Sequence, residues 1–160
     1  MVHTVGIADM AVSKDPDDNI ITHALGSCLG ITIHDPVAHV GGLIHIMLPL
    51  STIDPSKASS RPYMFVDTGV PRLFLECYKL GAQKSRVILK VAGGASSKAN
   101  PDDDYFEIGK RNFIMLRKLL WKNGMLIKAH DVGGSDSRTM SLAVGTGDVT
   151  LKINGTTSIM

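Results

Sequence analysis

Residues 22–49 read Thr-His-Ala-Leu-Gly-Ser-Cys-Leu-Gly-Ile-Thr-Ile-His-Asp-Pro-Val-Ala-His-Val-Gly-Gly-Leu-Ile-His-Ile-Met-Leu-Pro. One of the chain's two cysteines, Cys28, stands here directly after Gly26-Ser27, and four of the six histidines fall in the same stretch. Residues 20–25 read as a short strand, and residues 29–34 follow a period of two. Asp35-Pro36 ends that second strand, and residues 40–48 form a third, closed by Pro49. The pattern is a strand, a tight turn carrying a thiol, and two more strands. The last of these can bring His45 back beside Cys28. A cysteine and a histidine that meet in space are the minimal parts of a thiol nucleophile.

The flanking chain reads as a scaffold for this stretch. Residues 2–13 alternate loosely and predict one strand bulged at Gly6, before a turn cluster at Asp15-Pro16-Asp17-Asp18-Asn19. Residues 50–62 have little apolar content and predict a mobile surface loop. Over 66–80 the apolar residues Val66, Val70, Leu73, Phe74, Cys77 and Leu80 share one helical face, with Gly81 as a stop. Pro71 fits that helix only in its first turn. Residues 86–92 predict a central apolar strand, which leaves through Gly93-Gly94-Ala95-Ser96-Ser97. A second helix is predicted over 106–123, behind Asp102-Asp103-Asp104 and ahead of Gly124. Its acidic start and basic end suit the helix dipole. A strand over 125–130 and a hairpin over 139–153, turning at 145–148, complete the chain. This order predicts an α+β fold of packed, largely antiparallel sheets flanked by about two main helices, not a doubly wound parallel sheet.

At 160 residues the chain is long enough for one domain, residues 1–160, with a sizeable core. The net charge of +2 and aromatic share of 5% give nucleic-acid binding little support. No apolar run approaches the roughly 20 residues that span a bilayer. The start Met-Val-His-Thr-Val-Gly-Ile lacks the features of a signal peptide. Two cysteines at unrelated positions make no disulfide framework, so a reducing cytosol is the expected compartment and Cys28 a free thiol.

Each candidate residue also has a plain structural reading. A free cysteine is often a small buried hydrophobe. Gly26, however, permits a sharp turn that exposes the thiol, and backbone N–H groups around Gly26, Ser27 and Cys28 can then face a developing oxyanion. His45, inside the apolar run Leu43-Ile44-His45-Ile46-Met47, is either a satisfied core residue or a base. Thr22 and His23 alternate, so only one of them faces the site. The Thr22 hydroxyl suits the third-group role that orients an imidazole. His34 and His39 flank Asp35-Pro36 and read as facing solvent. The histidine spacing offers no metal set, and Gly93-Gly94 and Gly133-Gly134 lack any nucleotide-binding spacing, so no cofactor is expected. Cys77 reads as core, and Asp131 with Arg138 as a clamp across the second Gly-Gly turn.

The ordered motifs resemble the CheD family, the chemoreceptor glutamine deamidases of chemotaxis. They are Ala24-Leu25-Gly26-Ser27-Cys28-Leu29, Asp35-Pro36 and the run 41–49; Tyr63 with Asp67-Thr68; Lys90-Val91-Ala92-Gly93-Gly94-Ala95; Ile108-Gly109-Lys110-Arg111-Asn112; Asp131-Val132-Gly133-Gly134 with Arg138; and Gly145-Thr146-Gly147. The resemblance implies packed sheets flanked by helices, related to the catalytic domain of cytotoxic necrotizing factor toxins. It also implies a Cys–His–Thr triad falling on Cys28, His45 and Thr22, and chemotaxis receptors as protein substrates. A second implied partner is a CheC-type phosphatase, so a non-catalytic adaptor that binds CheC or receptors is the alternative. Departures are few: Gly69 stands where alanine is common, and the stretches 50–62 and 97–105 are individual to this chain.

Overall fold

The computed structural model describes residues 1–96 and 107–160. In chain order its strands are β1 (Val2–Val5), β2 (Asp9–Ser13), β3 (Asn19–Leu25), β4 (Leu29–Asp35), β5 (Val40–Ile46), β6 (Ile88–Gly93), β7 (Ile127–Val132), β8 (Arg138–Ala143), β9 (Val149–Ile153) and β10 (Thr156–Ile159). The helices are α1 (Pro55–Ser60), α2 (Val66–Lys79) and α3 (Ile108–Lys122). The strands form two five-stranded sheets, in the orders β1-β3-β8-β9-β10 and β2-β5-β4-β6-β7. Among the described residues, only the strand pairs β1/β3 and β6/β7 are parallel. The largely antiparallel α+β architecture expected from the sequence is therefore the one observed.

Every residue of β4 and β5 is buried, because both faces of their sheet are covered. Strand alternation sends Ile31, Ile33, Ile44 and Ile46 toward the helices, where they meet Val70, Leu73, Phe74 and Cys77 of α2 and Leu116 and Leu120 of α3. Leu43 goes the other way, into a second cluster with Leu25, Ala92, Met140, Leu142 and Leu151 between the sheets. Helices, sheet and sheet thus make three layers with two apolar seams. A fully buried Leu or Ile contributes about 1.5–3 kcal/mol by leaving water, so these seams fix the strand register. A one-residue slip would turn His45 from the inter-sheet seam to the helix side.

Several local expectations need correction. Residues 2–13 are two strands in different sheets: β1 lies along β3, and β2 pairs with β5. The chain changes sheet at Gly6–Ala8, where Ala8 takes φ +57° and its N–H donates to the His45 carbonyl at 3.0 Å. Residues 50–62 hold α1 between two short 3-10 turns. Asp54 caps α1 by accepting from the Lys57 N–H at 3.1 Å, with Pro55 in the first turn. The Asp67 carboxylate pins the start of this segment by accepting from Ser51 N–H (2.8 Å) and Oγ–H (2.7 Å). Pro71 lies inside α2, not in its first turn.

His34 is also not solvent-facing. It is buried, and its Nε2–H donates to the Val144 carbonyl at 2.7 Å. The strand that holds it is covered on both sides. His39 is exposed as expected. Gly124, at φ +67°, follows the end of α3, and β8/β9 form the expected hairpin. The run Asp102-Asp103-Asp104 and Ser97 lie outside the described residues. No helix among the described residues is long and apolar enough to cross a membrane.

Candidate functional site

Thr22, on β3, and His45, on β5, belong to different sheets and meet across the inter-sheet seam. Both are fully buried, at 0% and 1% exposure. Thr22 Oγ1 lies 2.8 Å from the Val5 carbonyl and 2.7 Å from His45 Nδ1. These distances determine the imidazole tautomer. The hydroxyl has one proton, and the Val5 carbonyl can only accept, so that proton is donated to Val5. Nδ1 must then carry a hydrogen and donate it to Oγ1. Nε2 is left with its lone pair. It is buried and takes part in no hydrogen bond among the described residues. An unengaged imidazole lone pair is the form of histidine that can accept a proton. His23, next to Thr22, is exposed, so the alternation resolves in favour of Thr22.

Cys28 sits at the turn between β3 and β4. It is half-buried and packs against the inter-sheet cluster of Leu25, Leu43, Ala92 and Met140, on the face of the sheet that also carries His45. His45 stands opposite Gly30 in the β4/β5 ladder, two positions beyond Cys28. The thiol and the imidazole therefore share one seam, although no hydrogen bond joins them. Contacts of this kind commonly tighten only when substrate is bound.

The turn itself differs from expectation. The residue in the left-handed region is Ala24, at φ +58°, not Gly26. The β3/β8 register shifts between Thr22 and Leu25, so a bulge re-aims the chain just after Thr22. Its carbonyls are held from outside. Gly26 O accepts from the Ala95 N–H (2.8 Å), Ser27 O from Asn112 Nδ2–H (3.0 Å), and Cys28 O from the Gly94 N–H (2.9 Å). The Gly26 N–H donates to Ala24 O at 3.0 Å, so it is not open to an oxyanion. Among the described residues no backbone carbonyl takes the N–H of Ser27 or Cys28.

Close approach at the Gly-Gly loop is obligatory. Gly93 has φ +111°, and a Cβ there would stand 2.2 Å from the Cys28 carbonyl oxygen. Asp131 and Arg138 pair at 3.0 Å, as the sequence suggests. Arg138 also donates to the carbonyls of Gly93 (3.3 Å) and Gly133 (2.8 Å), which fastens the loop behind Cys28. Asn112 enters the sequence reading only as the end of the motif Ile108–Asn112, with no role assigned to it. Its signal is a polar side chain on the face of α3 that buries Leu116 and Leu120. No group of three metal-binding side chains converges among the described residues.

Burial sets the resting charge. It pushes the Cys28 thiol up, against a small opposing pull from its own N–H, and it pushes His45 down. Both shifts favour the uncharged thiol and the uncharged imidazole. His34 is lowered as well, mainly by burial and against its bond to Val144. Histidines held neutral in the fold take up protons more readily when unfolded. Their stabilising contribution is therefore complete above the unfolded value of about 6.5 and is lost as pH falls from there through the lowered folded values. Urea unfolding midpoints are expected to drop between pH 7.5 and 5, with a smaller drop in His34→Gln. Equal slopes in both proteins would contradict the assignment to His34.

Comparisons with known proteins bear on the family of the chain. The family model described as CheD chemotactic sensory transduction matches residues 47–153, beginning just after His45. A Syntrophus aciditrophicus protein named "Probable chemoreceptor glutamine deamidase CheD 1" is 49% identical over 151 residues, covering 94% of this chain and 93% of its own. A Solibacter usitatus protein named "Probable chemoreceptor glutamine deamidase CheD" is 48% identical over 151 residues, covering 94% and 88%. A solved Neisseria meningitidis protein of family DUF152 is similar over 84% of this chain and 62% of its own, at TM-score 0.48 and 9% identity. With most of its length inside the family match and nearly half of its residues identical to such relatives, the chain belongs to the CheD family.

Proposed function

We propose that the protein is a protein-glutamine glutaminase that hydrolyses glutamine side chains of chemotaxis receptors to glutamate and ammonia. The observation that carries this reading is the Thr22–His45 bond, which leaves Nε2 unprotonated on the seam where Cys28 lies. Nε2 takes the Cys28 proton while the sulfur attacks the carboxamide carbon. The N–H groups of Ser27 and Cys28 hold the oxyanion. His45 returns the proton to the leaving nitrogen, and ammonia departs as the C–N bond breaks. Water, deprotonated by Nε2, then attacks the thioester. Glutamate is released and the thiol re-forms. Thr22 keeps the imidazole in one tautomer throughout. Positioned acid–base catalysis of this kind contributes about a hundred- to ten-thousand-fold.

The relatives' names supply the substrate class, and their activity is carried over here as a reading. A CheC-type phosphatase as a second partner belongs to the same proposal. Incubation with a receptor cytoplasmic fragment is expected to raise the mass of specific glutamine peptides by about one dalton each, with ammonia released and no backbone cleavage. Protein pre-alkylated at Cys28 is the control. Unchanged glutamines across the receptors of the source organism would favour the adaptor. In that case CheC or receptor binding would survive alkylation.

A further inference from the structure

Asn112 is a carboxamide with no exposed surface, and its Nδ2 donates at 3.0 Å both to the Ser27 carbonyl and to the Met47 carbonyl. The first acceptor lies in the turn that ends in Cys28. The second lies two residues beyond His45, at the end of the strand that carries it. One atom of α3 therefore ties the chain bearing the thiol to the chain bearing the imidazole. Two carbonyls need two hydrogens from one point, and a neutral side chain supplies these only as an amide NH2. The cost is visible, because Oδ1 is buried with no partner. Among the described residues, the only other buried side-chain polar atom in that condition is His45 Nε2. Gly109, one turn earlier, presses α3 onto the same region. A Cβ there would stand 2.5 Å from the Gly94 carbonyl.

We infer that Asn112 is a positioning residue that sets the separation between Cys28 and His45 through its two carbonyl bonds. The inference rests on the reading of Cys28 and His45 as the reacting pair. Asn112 makes no hydrogen bond to either group and neither gives nor takes a proton. Removing the bridge frees the turn and the strand end to drift apart, and a misplacement of about 1 Å can cost about a hundredfold in rate.

The test is a double-mutant cycle of Asn112→Leu with His45→Gln, read by the iodoacetamide alkylation rate of Cys28 across pH. Native-state alkylation reports Cys28 alone, because Cys77 is 1% exposed and burial beside Glu76 pushes its thiol up to about 12. His45→Gln is expected to slow alkylation at neutral pH. Asn112→Leu is expected to slow it nearly as much and to add almost nothing on top of His45→Gln. Asn112→Gln keeps the amide on a longer stem and is expected to fall between, which covers a Leu variant that fails to fold. On a receptor fragment, Asn112→Leu is expected to lower kcat about a hundredfold with KM little changed. Additive effects in the cycle overturn the positioning role. Alkylation that ignores His45 overturns it too, since there is then no coupling to maintain. Absence of receptor turnover in the unmodified protein, with the alkylation cycle intact, counts against the deamidase reading alone.

Discussion

Cys28→Ala is expected to release no ammonia from a receptor fragment while remaining folded. On the proposed mechanism the sulfur forms the bond that replaces the departing nitrogen, and the nearby hydroxyls are poorly placed to do so: the Thr22 hydroxyl proton is donated to the Val5 carbonyl. Ser27 offers a hydroxyl, but its carbonyl is bound to Asn112 and the residue lies one position off the alternation that faces His45. Loss of the nucleophile is worth on the order of a million-fold in comparable triads, which places the variant below detection. The fold should tolerate the change. Cys28 is half-buried at the edge of the inter-sheet cluster, and removing one sulfur there costs about 1 kcal/mol. Ammonia release and thermal unfolding together decide the matter. A folded Cys28→Ala protein that still deamidates would overturn the thiol mechanism.

Gly93→Ala is expected to have the largest effect on stability of any single-methyl addition. Two independent penalties meet at this position. The backbone stands at φ +111°, where an L side chain is strained by about 1–3 kcal/mol. The new Cβ would also overlap the Cys28 carbonyl oxygen at 2.2 Å, and backbone cannot step aside as a side-chain tip can. Forced overpacking adds about 1–3 kcal/mol. The strand pair β4/β6 must open to relieve the overlap, and the turn that carries the thiol moves with it. Urea unfolding should show a loss of about 3–5 kcal/mol. Gly134→Ala is the comparison: it has a positive φ of 68° but open space around its Cβ, so it should lose only the backbone share. Equal losses in the two variants would mean that contact with Cys28 is unimportant.

The sequence carries most of the site because the chemistry and the strands are written in the same stretch. Thr22 on β3, Cys28 in the turn before β4 and His45 on β5 all fall in the one stretch 22–49, and period-two alternation shows that only one of Thr22 and His23 can face the seam, while the family resemblance points to Thr22. The helix faces are equally plain, since α2 buries Val70, Leu73, Phe74 and Cys77 at helical spacing. What escaped depends on contacts distant along the chain. Nothing local to residues 2–13 distinguishes a bulge from a change of sheet, because the partners of β1 and β2 lie elsewhere. The burial of His34 depends on Val144, 110 residues away. The left-handed residue of the thiol turn is Ala24, although Gly26 is the residue whose type invites it, since the bulge against β8 fixes the bend earlier. Asn112 looks like one polar interruption of an apolar helix face until the carbonyls it binds are known.

The neutral state of Cys28 has a consequence for survival under oxidative stress. Peroxide attacks thiolates, and a half-buried thiol whose proton is held by desolvation forms sulfenic acid slowly. Were it to form, Cys77 could not rescue it as a disulfide within the chain. Cys77 packs on the helix side of the β2-β5-β4-β6-β7 sheet, whereas Cys28 packs on the opposite side. The same desolvation that favours the protonated Cys28 thiol therefore shields it from peroxide, in a chain whose other cysteine cannot reach it.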